Sequence, residues 1–304
     1  MQKSIQFKNK NWEIAAHLNL PENFDENLKQ SAIICVHPGS SVKEQTAGEY
    51  AKKLAEEEGF ITLAFDASFQ GESGGEPRFL EDPATRVEDI KCAVDHLTTL
   101  KFIDNEKIGV LGICAGGGYA ANAALTERRI KAVATVSASN FCRAYKESLD
   151  PIQILEAVGK QRTAEANGAE PLIVNWTPNS VEEAKEQGMD ELDLLECINY
   201  YRTPRGNHPR SSNQLLFTSF GNTVNFDAFH LADQLLTQPL LVIVGDKVGA
   251  FGSYRDGFEL YNKAASKSKN IHVVKDASHY DLYDQPKATS EAMSALIPFF
   301  KENL

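Results

Sequence analysis

The chain has 304 residues, of which 42% are apolar and 24% charged, the balance of an ordinary globular protein rather than a disordered or fibrous one. Its net charge of −11 opposes phosphate backbones and anionic lipid, so nucleic acid and membrane surfaces are poor partners. No run approaches the ~18 consecutive apolar residues of a membrane span, and the first residues lack the apolar core of a signal peptide. A cytoplasmic protein is expected. Five scattered cysteines without a CxxC pair make reduced thiols the default, and neither a disulfide framework nor a zinc site is expected.

In chain order, Ser4–Lys8 and Trp12–Leu20 alternate apolar and polar residues like an edge hairpin. Ser31–Val36 reads as a buried strand, Tyr50–Glu58 as a helix ending at Gly59, and Phe60–Phe65 as the next strand. Pro83–Leu100 carries apolar residues at helical spacing, at Val87, Ile90, Val94 and Leu97. Lys107–Ile113 is another buried strand, followed by a helix over Tyr119–Leu125 and a strand over Ile130–Ser137. The rhythm then changes, with helical stretches at Ile152–Gly159 and Val181–Tyr201. Alternation resumes with a strand at Gln238–Val244, a helix at Phe258–Ala265, a strand at Ile271–Lys275 and a closing helix near Thr289–Asn303. The pattern predicts an α/β core, residues 1–139 and 238–304, interrupted by an insertion over 140–237.

The segment from Gly112 to Gly118 (GICAGGG) places a cysteine between small residues where a strand feeds a helix. That is the G-x-S-x-G nucleophile elbow with Cys114 in place of serine. Flanking glycines are expected because side chains there would collide with neighbouring backbone. The helix N-terminus would favour a thiolate. A glycine-rich turn around a structural cysteine explains the pentapeptide alone equally well. The remainder of the chain favours the elbow. The loop His37-Pro38-Gly39-Ser40-Ser41 follows an earlier strand, and His279 follows the last one in Asp276-Ala277-Ser278-His279.

With these motifs, together with the Asp66–Gly75 segment (DASFQGESGG) and DASHYDLYD, the chain resembles the α/β-hydrolase superfamily. The nearer resemblance is to its dienelactone-hydrolase-like branch, which uses a cysteine nucleophile. The resemblance implies a mostly parallel central sheet flanked by helices, with the insertion as a helical cap. It also implies a triad of Cys114, His279 and an acid, with oxyanion donors at Ala115 and at Gly39 or Ser40. One departure stands out. The superfamily acid usually lies in G-x-x-D, and here that position holds Val248, so Asp246, directly after Gly245, is the expected acid. His37, Asp66, Glu72 and His230 are candidates for substrate contact or support, with loop-fixing favoured for Asp66 and Glu72. The insertion aromatics Phe141, Trp176, Tyr200 and Tyr201, with Phe217, Phe220, Phe226 and Phe229, supply either an acyl pocket or the insertion's own core.

The implied reaction is cleavage of an ester, lactone or thioester through an acyl-enzyme, on a small-molecule acyl substrate and without metal or organic cofactor. Acyl transfer or C–C hydrolysis at the same site, or an idle hydrolase fold used for binding, are the alternatives. Homo-oligomerisation is left open.

Overall fold

The computed structural model describes residues 1–304, except for the side chain of Cys142. Eight strands form one sheet, in the order β1 (Gln2–Asn9), β2 (Trp12–Asn19), β4 (Ile61–Phe65), β3 (Gln30–Val36), β5 (Ile103–Ile113), β6 (Ile130–Val136), β9 (Leu240–Gly245) and β10 (Lys269–Val274). The β1–β2 hairpin pairs antiparallel, and β2 meets β4 antiparallel. From β4 to β10 every pairing is parallel. Parallel strands buried on both faces read as continuous apolar runs, which is why Ser31–Val36 and Lys107–Ile113 show no alternation.

Two helical layers account for that burial. Ile34 and Val36 of β3 face α2 (Pro83–Thr99) and α3 (Ala115–Thr126), where Ile90, Val94 and Tyr119 are buried. Ile33 and Cys35 of the same strand face α1 (Thr46–Glu58) and α12 (Pro286–Asn303), against Tyr50, Leu54, Leu296 and Phe300. The period-two alternation of a strand thus divides one sequence run between two cores. This is the α/β-hydrolase fold.

Chain direction reverses at β3. The chain crosses outward through α1 to β4 and returns through α2 to β5, on the other side of β3. Ligands in open α/β sheets bind beyond the carboxyl ends of strands at such a switch point. Both the loop after β3 and the turn after β5 emerge there. Close approach of α3 to β3 demands glycine at one place. A Cβ on Gly116 would stand 2.3 Å from the Val36 carbonyl oxygen and 2.7 Å from that of His37.

Between β6 and β9 lie α4 (Phe141–Ser148), α5 (Pro151–Ala166), β7 (Ile173–Asn175), α6 (Val181–Glu186), α7 (Leu192–Arg202), β8 (Gln214–Leu216), α8 (Phe220–Thr223) and α9 (Ala232–Leu235). β7 and β8 form a separate two-stranded antiparallel sheet. The helix read at Val181–Tyr201 is two helices, because Gly188 turns the chain with φ +70°. Helix α4 has little signature in the sequence, since its eight residues carry only Phe141 and Tyr145 at i, i+4. After β9 come α10 (Ser253–Lys263), then the short α11 (Asp281–Asp284) between β10 and α12. Among the described residues, no helix is long and apolar enough to cross a membrane.

Gly116→Ala is expected to destabilise the protein by about 3 kcal/mol, because the obstacle is backbone that cannot rotate aside. Denaturant unfolding measures this, and a loss below about 1 kcal/mol would show that α3 can move off β3.

Candidate active site

Cys114 sits between β5 and α3 with φ 54° and ψ −124°, a conformation that strains a residue bearing a side chain. The surroundings hold it there. Its N–H donates to the Val136 carbonyl at 3.0 Å, and its carbonyl accepts from Gly117 at 2.8 Å and Ser139 at 3.0 Å. A Cβ on Gly112 would meet the Gly116 carbonyl oxygen at 2.3 Å, so this flank of the turn also admits only glycine. The sulfur therefore projects from the sheet edge, 3.8 Å from the Ser139 hydroxyl.

His279 reaches the same point from the loop after β10 and is buried. Its Nε2 lies 3.1 Å from the hydroxyl of Tyr283, one helical turn later. Burial alone would push the Cys114 thiol up. The His279 imidazole, the Tyr283 hydroxyl and the Ala115 N–H all favour the thiolate, and together they hold the thiol below its ordinary range. Burial wins at the other described thiols: it pushes Cys92 up to about 11, Cys197 to about 12 against the Tyr280 and Thr177 hydroxyls, and raises Cys35 further. Cys142 lies outside the described side chains. The pattern H-x-x-x-Y in the sequence was the available signal for Tyr283.

The structure does not bring Asp246 to His279. Its backbone N–H continues the pairing to Val274 at 3.2 Å, and its side chain is exposed at the exit of β9. The neighbouring Lys247 turns instead to Asp281 at 3.2 Å. His279 Nδ1 is buried and has no hydrogen-bond partner among the described residues. Phe251 packs edge-on against the imidazole, with centroids 5.7 Å apart.

Gly39 and Ser40 border the cavity above Cys114, and Ser40 turns with φ 57°. His37 stands behind them as a brace. It is fully buried, with Nδ1 donating to the Pro38 carbonyl at 2.6 Å and Nε2 accepting from the Ala67 N–H at 3.0 Å. Burial and the Arg86 guanidinium push its pKa well below the ordinary value, so the ring is neutral. It does not border the cavity.

Asp66 and Glu72 lie in an ion cluster around the buried Lys43. Asp66 accepts from the Lys43 N–H at 2.7 Å, from Lys43 Nζ at 2.9 Å and from the Glu72 N–H at 2.8 Å. Glu72 also meets Arg210 at 2.7 Å, which ties the segment between β6 and β9 to the loop after β4. Both residues are away from the cavity. His230 is exposed in the turn before α9 and does not line the pocket.

The cavity over Cys114 has a volume of about 360 Å³. Phe141, Trp176, Tyr201 and Phe220 line it, whereas Tyr200, Phe217, Phe226 and Phe229 do not. Phe229 is wholly buried in the core beside α3. Glu191, exposed before α7, is the one charged residue among the described residues lining the cavity, and no lysine or arginine reaches it.

An α/β-hydrolase fold with a strained elbow, a facing imidazole and an adjoining cavity defines the class of protein. The chain matches the family described as serine aminopeptidase, S33, over residues 29–286, and it belongs to that family. It is 42% identical over 314 aligned positions to the uncharacterized protein YcjY of Escherichia coli strain K12, covering 100% of both chains. The crystal structure of hypothetical protein PA2218 from Pseudomonas aeruginosa is similar, with a TM-score of 0.88 and 33% identity over 100% of this chain and 94% of that one. A more distant relative is the thiohydrolase aneE of Aspergillus aculeatus, 31% identical over 47% of this chain and 46% of that protein. The family description names a serine enzyme, whereas the elbow here carries Cys114.

Iodoacetamide is expected to alkylate Cys114 selectively, with a rate that rises through a midpoint below that of a free thiol. His279→Ala should move the midpoint upward, since the largest of the groups that oppose burial is then gone. An unchanged midpoint in that variant would separate the imidazole from the thiol.

Proposed function

We propose that the chain hydrolyses an ester, lactone or thioester of an uncharged, largely apolar acyl group, with Cys114 as nucleophile and His279 as general base. The observation that carries this is a thiol held below its ordinary pKa at a strained elbow under an aromatic cavity. The Cys114 proton passes to His279 as sulfur attacks the carbonyl carbon. The N–H groups of Ala115 and of Gly39 or Ser40 face the developing oxyanion. Collapse expels the alcohol or thiol, which takes the proton from His279, and leaves an acyl-thioester on Cys114. Water then attacks that thioester, losing its proton to His279 and releasing the carboxylic acid and the free thiol. Atoms balance with water as the sole co-substrate, and Asp246 has no part in the sequence.

The insertion over 140–237 supplies the acyl pocket. An anionic acyl chain would meet no cation there and would lose its hydration uncompensated. The dienelactone-hydrolase-like resemblance enters this proposal through the thiol nucleophile alone. The distant relative named as a thiohydrolase supports the thioester among the three linkages.

Cys114→Ala is expected to lower turnover by at least about 10³-fold with the fold intact, and Cys114→Ser to retain a few per cent at most, because a hydroxyl needs a stronger base than a thiol does. A panel of neutral and carboxylate-bearing thioesters and oxygen esters, scored for acid release, tests both site and substrate class. Undiminished hydrolysis by Cys114→Ala would remove the cysteine mechanism. Preference for the carboxylate-bearing substrates would overturn the reading of the cavity.

A further inference from the structure

His279 presents a donor without an acceptor. Its Nε2 meets the Tyr283 hydroxyl; with Nε2 accepting there, the ring proton falls on Nδ1, a buried nitrogen with no partner among the described residues. Such groups are costly unless satisfied. The loop between β9 and α10, where this fold places its acid, offers only the outward-facing Asp246 near the strand end. Its Gly249, however, has a carboxylate against it. A Cβ there would lie 2.1 Å from both Cγ and Oδ1 of Asp193 and 2.3 Å from Oδ2. Asp193, in the first turn of α7, thus fills the space that a side chain of the acid loop would occupy.

Three observations single it out. Asp193 is 1% exposed. Its Oδ2 accepts from the Phe251 N–H at 2.8 Å, and the Phe251 ring packs on His279. Its Oδ1 is buried without a partner. Among the other carboxylates around the site, Glu191 and Asp246 are exposed, and the rest are engaged: Asp256 by Arg143, Asp281 by Lys247, Asp284 by Arg205 and Glu196 by the Ser278 hydroxyl. We propose that Asp193, delivered by the insertion in place of a carboxylate on the acid loop, is the positioning residue that serves the His279 Nδ1 proton. The two atoms are not bonded directly, and one shared water would satisfy both orphans at once. Burial raises the Asp193 pKa, and the Phe251 N–H opposes that rise.

This inference rests on the Cys114–His279 reading, and the test separates the two. Asp193→Asn keeps an oxygen for the Phe251 N–H and removes only the charge. The expected result is a kcat reduced about 10- to 100-fold with KM within about twofold, and an iodoacetamide midpoint for Cys114 raised by about one pH unit. Gly249→Ala, which displaces the carboxylate without touching it chemically, should reproduce both effects, and it decides the matter should Asp193→Asn not fold. Wild-type kcat and an unmoved midpoint in the folded variant would overturn the role of Asp193 while leaving rapid alkylation of Cys114 in the parent protein intact. Failure of the parent protein itself to alkylate would instead strike the nucleophile reading.

Discussion

Gly112 lets β5 close on the start of α3, and Gly116 lets α3 close on the end of β3, to distances that no side chain tolerates. That contact forces Cys114 into a left-handed turn, and the hydrogen bonds to Val136, Gly117 and Ser139 keep it there. The consequences extend outward from this point. The sulfur is lifted clear of the sheet, the Ala115 N–H turns towards it, and the reversal at β3 puts Gly39 and Ser40 alongside. His279 meets the elbow from the loop after β10, the last strand. Strain at a nucleophile persists where the surrounding structure over-determines it.

The electrostatics follow from burial. A thiol removed from water resists ionisation, so a low pKa here requires partners in contact with the sulfur rather than a diffuse positive field. The imidazole, the phenol and one backbone N–H supply them. Apart from Glu191 at its rim, charged residues are kept out of the cavity lining, and several of those nearby are paired with one another. Lys43, Asp66, Glu72, Glu44 and Arg210 form one such cluster, and Arg143 with Asp256 another. The pocket is thereby left uncharged apart from its exposed rim, and apolar groups gain most from entering it.

Much of this was legible in the sequence. Buried parallel strands announce themselves as apolar runs, and the elbow and the strand-end loops have spacings tied to the fold. What escaped lies where the insertion meets the core. Asp193 has no motif: it is one acid among several near the start of a helix, and only the empty side of Gly249, some 56 positions later, gives it meaning. Asp246 drew attention by adjacency to a strand end, but a side chain directly after Gly245 leaves with the outer face of the loop. His230 and His37 illustrate the same limit. Composition marks both as chemistry-bearing, and packing exposes one and locks the other into a brace.

Trapping the acyl-enzyme tests the central claim most directly. The protein would be mixed with a neutral, apolar thioester, quenched in acid during turnover, digested and mapped by mass spectrometry. The account predicts a mass increase equal to the acyl group on the peptide containing Cys114, absent from Cys114→Ala and persistent in His279→Ala exposed briefly at high pH. Turnover with no acyl adduct on that peptide, or an adduct on a serine elsewhere in the chain, would contradict it.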